Sequence, residues 1–163
     1  MALERQVDDR LPHIELADLL VEVDGWTGLA DELVHQGNGS APTDQRRAHV
    51  YGAILSQACN VGATRMGRVA DMTFEQLTWA STWHLRDETL KAATTRLVDY
   101  QYHQPISQLW GGGTLSSSDG QRFPVAGNST SARALPRYFG FGRGVTFYTW
   151  TSDQFSQYGV KVI

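Results

Sequence analysis

The chain has 163 residues, 41% of them hydrophobic and 19% charged, with a net charge of −3. That suits one domain, or the end of one domain joined to the start of another, and excludes wholesale disorder. No apolar run approaches the roughly 18–20 residues that span a bilayer, the polar, acidic start from Met1 to Arg10 is not a signal peptide, and the single cysteine, Cys59, excludes a disulfide framework or multi-cysteine zinc site within the chain.

Helices dominate the first two-thirds. Ile14 to about Val23 is apolar at mixed spacing, and Thr27 is placed to N-cap a short turn with Leu29, Leu33 and Val34. Gly37 to Thr43 is a polar loop. Val50, Tyr51, Ile54, Leu55, Ala58 and Val61 then recur at helical spacing. Thr73 with Gln76 forms a capping-box pattern ahead of Leu77, Trp79 and Trp83. Asp87 is placed to cap a further helix bearing Leu90, Ala93, Leu97 and Tyr100, which Pro105 ends or kinks. Trp110 precedes three glycines, Gly111 to Gly113, a hard break.

Past the break the period becomes two. Leu115, Ser117, Asp119, Gln121, Phe123 and Val125 alternate as in a strand. Residues 127–143 read as a loop. Gly144 to Ser152, with Val145, Thr146, Phe147, Tyr148, Thr149, Trp150 and Thr151, is the strongest strand signal, and Tyr158 to Ile163 reads as another strand. The last residues, Val162 and Ile163, sit in mid-strand, which suggests truncation.

Charge is unevenly distributed. Residues 120–163 hold five basic residues, Arg122, Arg133, Arg137, Arg143 and Lys161, against one acid, Asp153, a local balance of +4, so residues 1–119 carry −7. This hints at a polyanion facing the C-terminal part, although a few solvated loop arginines would give the same count. Several chemistries are excluded. The five histidines are scattered and read as surface or helix-packing residues, and there is no serine nucleophile elbow and no Walker loop. Gly140, Gly142 and Gly144 precede a strand instead of joining strand to helix, so they read as a hairpin loop and not a dinucleotide fingerprint. Asp119 stays open to two readings. A carboxylate on a rigid strand suits Mg²⁺, which takes oxygen ligands and keeps several waters. Asp119-Gly120 is also the commonest two-residue hairpin turn, and spacing alone favours that reading.

Ordered motifs tip that balance. Trp110-Gly-Gly-Gly, Ser117-Ser118-Asp119-Gly120-Gln121-Arg122-Phe123, Pro136-Arg137-Tyr138-Phe139-Gly140, Arg143-Gly144-Val145-Thr146-Phe147-Tyr148 and Thr151-Ser152-Asp153-Gln154-Phe155 occur in that order. The helical part adds Leu19-Leu20-Val21-Glu22-Val23-Asp24, Trp26-Thr27-Gly28 and Ala58-Cys59-Asn60-Val61-Gly62. Together they resemble the DDE transposase domain of the Tn-three family of replicative transposons, over about Leu11 to Ile163.

The resemblance implies an α+β chain: a mainly helical segment, residues 1–110, followed by the first antiparallel strands of a ribonuclease-H-like (RNase H-like) catalytic domain, residues 111–163, left incomplete. It implies DNA strand cleavage and transfer by an Asp-Asp-Glu set holding two divalent ions, Mg²⁺ expected, about 4 Å apart. The first Asp corresponds to Asp119, as catalytic residue and metal ligand, on a strand that runs on through Gly120. The second Asp and the Glu lie downstream of Ile163, and Asp153, in its Thr-Ser-Asp-Gln motif, matches neither and reads as strand-end or turn chemistry. The chain alone is therefore expected to be inactive. Implied partners are DNA (transposon ends and target) and, beyond that, self or full-length transposase, with no membrane and a cytoplasmic, nucleoid-associated place. Arg122, Arg133, Arg137 and Arg143 are the DNA-contact candidates, since arginine grips phosphate bidentately. The competing expectation is a non-catalytic remnant that binds DNA or a full-length transposase. A free-standing nuclease is disfavoured by the missing carboxylates.

Overall fold

The computed structural model describes residues 2–127 and 129–163. Among these residues the chain is α+β, with seven α-helices, two 3₁₀ turns and one three-stranded antiparallel sheet. It divides into two compact units, Met1–Ala93 and Thr94–Ile163.

The first unit is helical: α1 (Ala2–Asp8), α2 (Leu16–Thr27), α3 (Asp44–Ala58), α4 (Ala63–Ala70), α5 (Phe74–His84) and the start of α6 (Asp87–Tyr102). Helix α2 stops because Gly28 takes the left-handed conformation, φ 66°, and returns its N–H to the Asp24 carbonyl. Thr27 is the last residue of that helix and not the expected N-cap. Its hydroxyl donates to the Val23 carbonyl at 2.8 Å and accepts the Leu29 N–H at 3.2 Å, so it links α2 to the 3₁₀ turn Leu29–Glu32. Helix α3 forms as expected, but its buried stripe is Val50, Gly52, Ala53 and Ser56. Of the expected stripe only Val50 is fully buried; Tyr51, Ile54 and Leu55 are half-buried, Ala58 is exposed and Val61 lies past the helix end. Helix α4 has no such stripe, and only Gly67 is buried, with room for nothing larger because a Cβ there would lie 2.5 Å from the Met72 carbonyl oxygen.

The capping box at Thr73 forms as the sequence requires. The Thr73 hydroxyl accepts the Gln76 N–H and the Gln76 side chain accepts the Thr73 N–H. Asp87 does not cap α6. It is the first helical residue and pairs with Lys91 at 2.6 Å, while the Thr89 hydroxyl accepts the Arg86 N–H. The buried face of α6 is Thr89 and Ala93, with Leu90 and Leu97 exposed.

The helical core is Leu29, Ala30, Leu33, Val50, Ala53, Ala80 and Ala93, with Val23, Tyr51, Ile54, Trp79 and Leu85 packed around it. A polar knot sits beside it. The buried Asp24 carboxylate accepts the Ala30 N–H at 2.7 Å, Arg47 at 2.9 Å and the Tyr51 hydroxyl, and Arg47 also reaches Asp31. Burial and the adjacent Asp24 push the Tyr51 hydroxyl up to about 12. Two of the scattered histidines meet here: His35 stacks on Trp83 at 5.0 Å and lies edge-on to the buried His84, whose Nδ1 donates to the Leu33 carbonyl at 2.6 Å.

The second unit holds the rest of α6, the 3₁₀ turn Ser107–Leu109, β1 (Ser116–Val125), α7 (Pro136–Phe139), β2 (Arg143–Ser152) and β3 (Gln157–Val162). Strand order is β1-β2-β3, with Asp119 opposite Thr149 and Thr149 opposite Val160. All three expected strands are present. The expected loop, 127–143, also contains α7, which starts on Pro136 at its first position. Next to it Arg133 pairs through its backbone with Gly144 in both directions.

Candidate functional site

Asp119 lies within a continuous strand, so the hairpin-turn alternative does not hold. The reason is across the sheet. Gly120 pairs with Tyr148, and a Cβ on Gly120 would sit 3.0 Å from Tyr148 Cε1. Glycine follows Asp119 because an aromatic ring lies on it and not because the chain turns there. The Asp119 carboxylate is exposed and accepts the Gly120 N–H at 2.8 Å.

Paired residues share a face of a sheet. Asp119 therefore shares its face with Thr149, Ser117, Thr151, Gln121 and Phe147. Farther along, Phe123 meets Phe147 edge-on at 5.7 Å, and Val160 and Val162 extend the same face on β3. A carboxylate thus stands between a hydroxyl-rich end and an apolar end.

Asp153 opens the turn after β2. Its N–H bonds the Leu115 carbonyl at 3.0 Å, and the Ser152 hydroxyl accepts the Gln154 and Ser156 N–H groups. Its carboxylate packs on Gly111, where a Cβ would lie 2.5 Å from Cγ. The partner of Asp153, Leu115, is four residues from Asp119 on β1, about 13 Å along the strand. Asp153 is therefore built into the turn and not beside Asp119. The glycine run has the same kind of explanation: Gly111 makes room for Asp153, and Gly113, at φ 73°, approaches Tyr102. Gln154, which sequence reasoning placed in a motif without a role of its own, is 2% exposed. It donates to the Gly111 carbonyl at 2.9 Å, and its own carbonyl accepts from Gln101 at 2.8 Å.

The four arginines are all exposed. Arg122 lies 3.9 Å over the Tyr138 ring, with Arg137 5.7 Å from the same ring. Arg143 donates to the Ala132 carbonyl at 2.6 Å, and Arg133 is held there by its backbone bridge to Gly144. The cluster gathers around α7 and the start of β2. Arg122 points to the face opposite Asp119, by the alternation of β1.

Residues 18–163 match the Tn3 transposase DDE domain family. The chain belongs to that family. The transposase of Tn501 from Pseudomonas aeruginosa is 39% identical over 163 residues, 99% of this chain and 16% of that protein. The transposase of gamma-delta from Escherichia coli K12 is 33% identical over 158 residues, 96% and 16%. That of Tn4556 from Streptomyces fradiae is 33% identical over 164 residues, 100% and 18%. The chain thus spans about a sixth of the length of these relatives.

DDE transposases generally use a divalent metal. The donor set here does not fit one by itself. Asp119 offers one carboxylate, and among the described residues no three His, Cys, Asp or Glu side chains gather closely enough to hold an ion. No helix of the described residues is long and apolar enough to cross a membrane.

Proposed function

We propose that this chain is the segment of a DDE transposase that carries the first catalytic carboxylate, Asp119, for cleavage and transfer of DNA strands. The observation that carries the reading is Asp119 on an unbroken strand inside a stretch matched by the DDE family from residue 18 to 163. A strand paired along its whole length with β2 holds a carboxylate more rigidly than a loop does, as a metal-binding position requires. We read residues 111–163 as the opening of the RNase H-like domain and residues 1–110 as the helical part before it.

Asp119 is one ligand of the expected Mg²⁺ pair, and its partners belong to parts of the transposase outside these residues. On this reading the chain alone does not cut DNA. Arg122, Arg133, Arg137 and Arg143 contact the phosphates of transposon-end or target DNA, in the cytoplasm at the nucleoid. Such contacts position DNA without reading its sequence, and they make affinity fall steeply with salt. The second reading, a non-catalytic remnant that binds DNA or a full-length transposase, draws on the same single carboxylate. A Mg²⁺-dependent nicking and strand-transfer assay on the purified chain tests the proposal. No activity above background is expected. Strong nicking that Asp119→Ala abolishes would mean that the chain assembles a complete site.

A further inference from the structure

The sheet face opposite Asp119 has its own chemistry. Tyr148 pairs with Gly120 on one side and Lys161 on the other, and Trp150 pairs with Gly159. Three Tyr148 ring atoms lie within 3.0–3.5 Å of where a Gly120 Cβ would be, and Trp150 Cε3 lies 3.2 Å from a Gly159 Cβ. Each ring therefore lies close against a glycine of the neighbouring strand. Both rings are partly exposed. On the same face Lys161 lies opposite Tyr148, and Arg122 lies one same-face position beyond Gly120, stacked on Tyr138 at the border of the face. Among the described strand residues no Asp or Glu occupies this face.

We propose that this face binds an unpaired DNA strand, with bases stacked on Tyr148 and Trp150 and phosphates held by Arg122 and Lys161. The inference rests on the reading of the chain as a transposase segment that meets DNA. Aromatic rings beside cations form the surface that single strands use, because every base offers a π-face and every linkage a charge. Spacing favours a single strand over a duplex. Tyr148 and Trp150 are two residues apart on β2, about 6.8 Å, twice the 3.4 Å rise of bases within a duplex strand. A strand that uses both rings must have its bases spread apart.

Fluorescence anisotropy on the whole chain tests this, with a fluorescein-labelled oligothymidylate against a duplex of equal length. The single strand is expected to bind about ten-fold tighter, and Tyr148→Leu and Trp150→Leu each to weaken it about ten-fold. Tyr148→Phe should bind like wild type, and circular dichroism checks that each variant is folded. The comparison of the two DNAs on the wild-type chain needs no variant. Equal affinity for both, or single-strand binding indifferent to the Leu variants, overturns the stacking surface and leaves arginine contact with DNA standing. No binding to either DNA overturns both. A dimer in sedimentation that Trp150→Leu dissolves, with no DNA bound, would show that a second copy occupies the face, which also overturns the proposal.

Discussion

In the helical unit Leu33, Val50 and Ala80 have no exposed surface, and the polar Asp24 is enclosed by donors. In the sheet unit the buried hydrophobic residues among those described are Ala132 and Val145, while Phe123, Val160 and Val162 are 49%, 54% and 44% exposed. The contrast follows from the elements themselves. A helix closes its backbone hydrogen bonds internally and needs one stripe covered. A strand needs neighbours at its edges and cover on its faces, and among the described residues β1 and β3 each have a strand partner on one side. The helical unit encloses a core, although Leu19, Trp26 and Val69 on its surface stay exposed. The sheet unit buries less, and Asp119 stays exposed on it.

Leu33→Ala should break the helical unit most, because it leaves a cavity in a fully buried site: a loss of about 2–5 kcal/mol in urea unfolding. A loss confined to surface-like values would mean that the helical core is not the stable part. Asp24→Ala comes next, at about 3 kcal/mol, since Arg47 and Tyr51 lose their shared buried acceptor. Amide exchange should show both effects in residues 1–93 and not in β1–β3. Gly144→Ala acts on the other side of the contrast. Its Cβ would collide with the Phe139 ring, costing about 1–3 kcal/mol and loosening α7 from β2. Exchange should then rise at Arg133 and Gly144, with the helical unit unchanged.

The smallest effect is on pH. Burial first, and then the charges of His84, Arg46 and Arg86, lower His35 below its ordinary 6.5. The fold therefore favours neutral His35. This contribution is present above pH 6.5 and is lost as pH falls through the lowered value, because the unfolded chain takes up the proton first. The unfolding midpoint of the helical unit should drop between pH 7 and 5, and His35→Gln should flatten that slope. An unchanged slope would remove His35 from the account.

Much of this architecture is legible in residue order, for physical reasons that vary by element. Strand β1 is readable by its period of two, and the capping box by the reciprocal bonds of Thr73 and Gln76. Helix α4 is not, because its one buried residue is a glycine, and α7 is not, because four residues show no period. The face of α6 misleads. Ala93 goes inside as expected, but Thr89 goes inside with it, its hydroxyl bonded to the Arg86 N–H and the His84 carbonyl, while Leu90 stays out. The position of Asp119 on a strand followed from the ordered motifs. That Tyr148 is what calls for Gly120, and that Arg122 faces away from Asp119, required the register. Arg143 reads from sequence as a DNA-contact candidate or a solvated loop charge, and nothing in residue order shows that its guanidinium bonds the Ala132 carbonyl.

The role of Asp119 is tested most directly in a complete transposase. The 163 residues would replace the matching stretch of the 39% identical Tn501 transposase, and transposition would be counted with Asp119 intact and with Asp119→Asn. The intact chimera should transpose, and Asp119→Asn should reduce transposition to background while the protein stays folded. Equal transposition by both would mean that Asp119 is not a catalytic ligand.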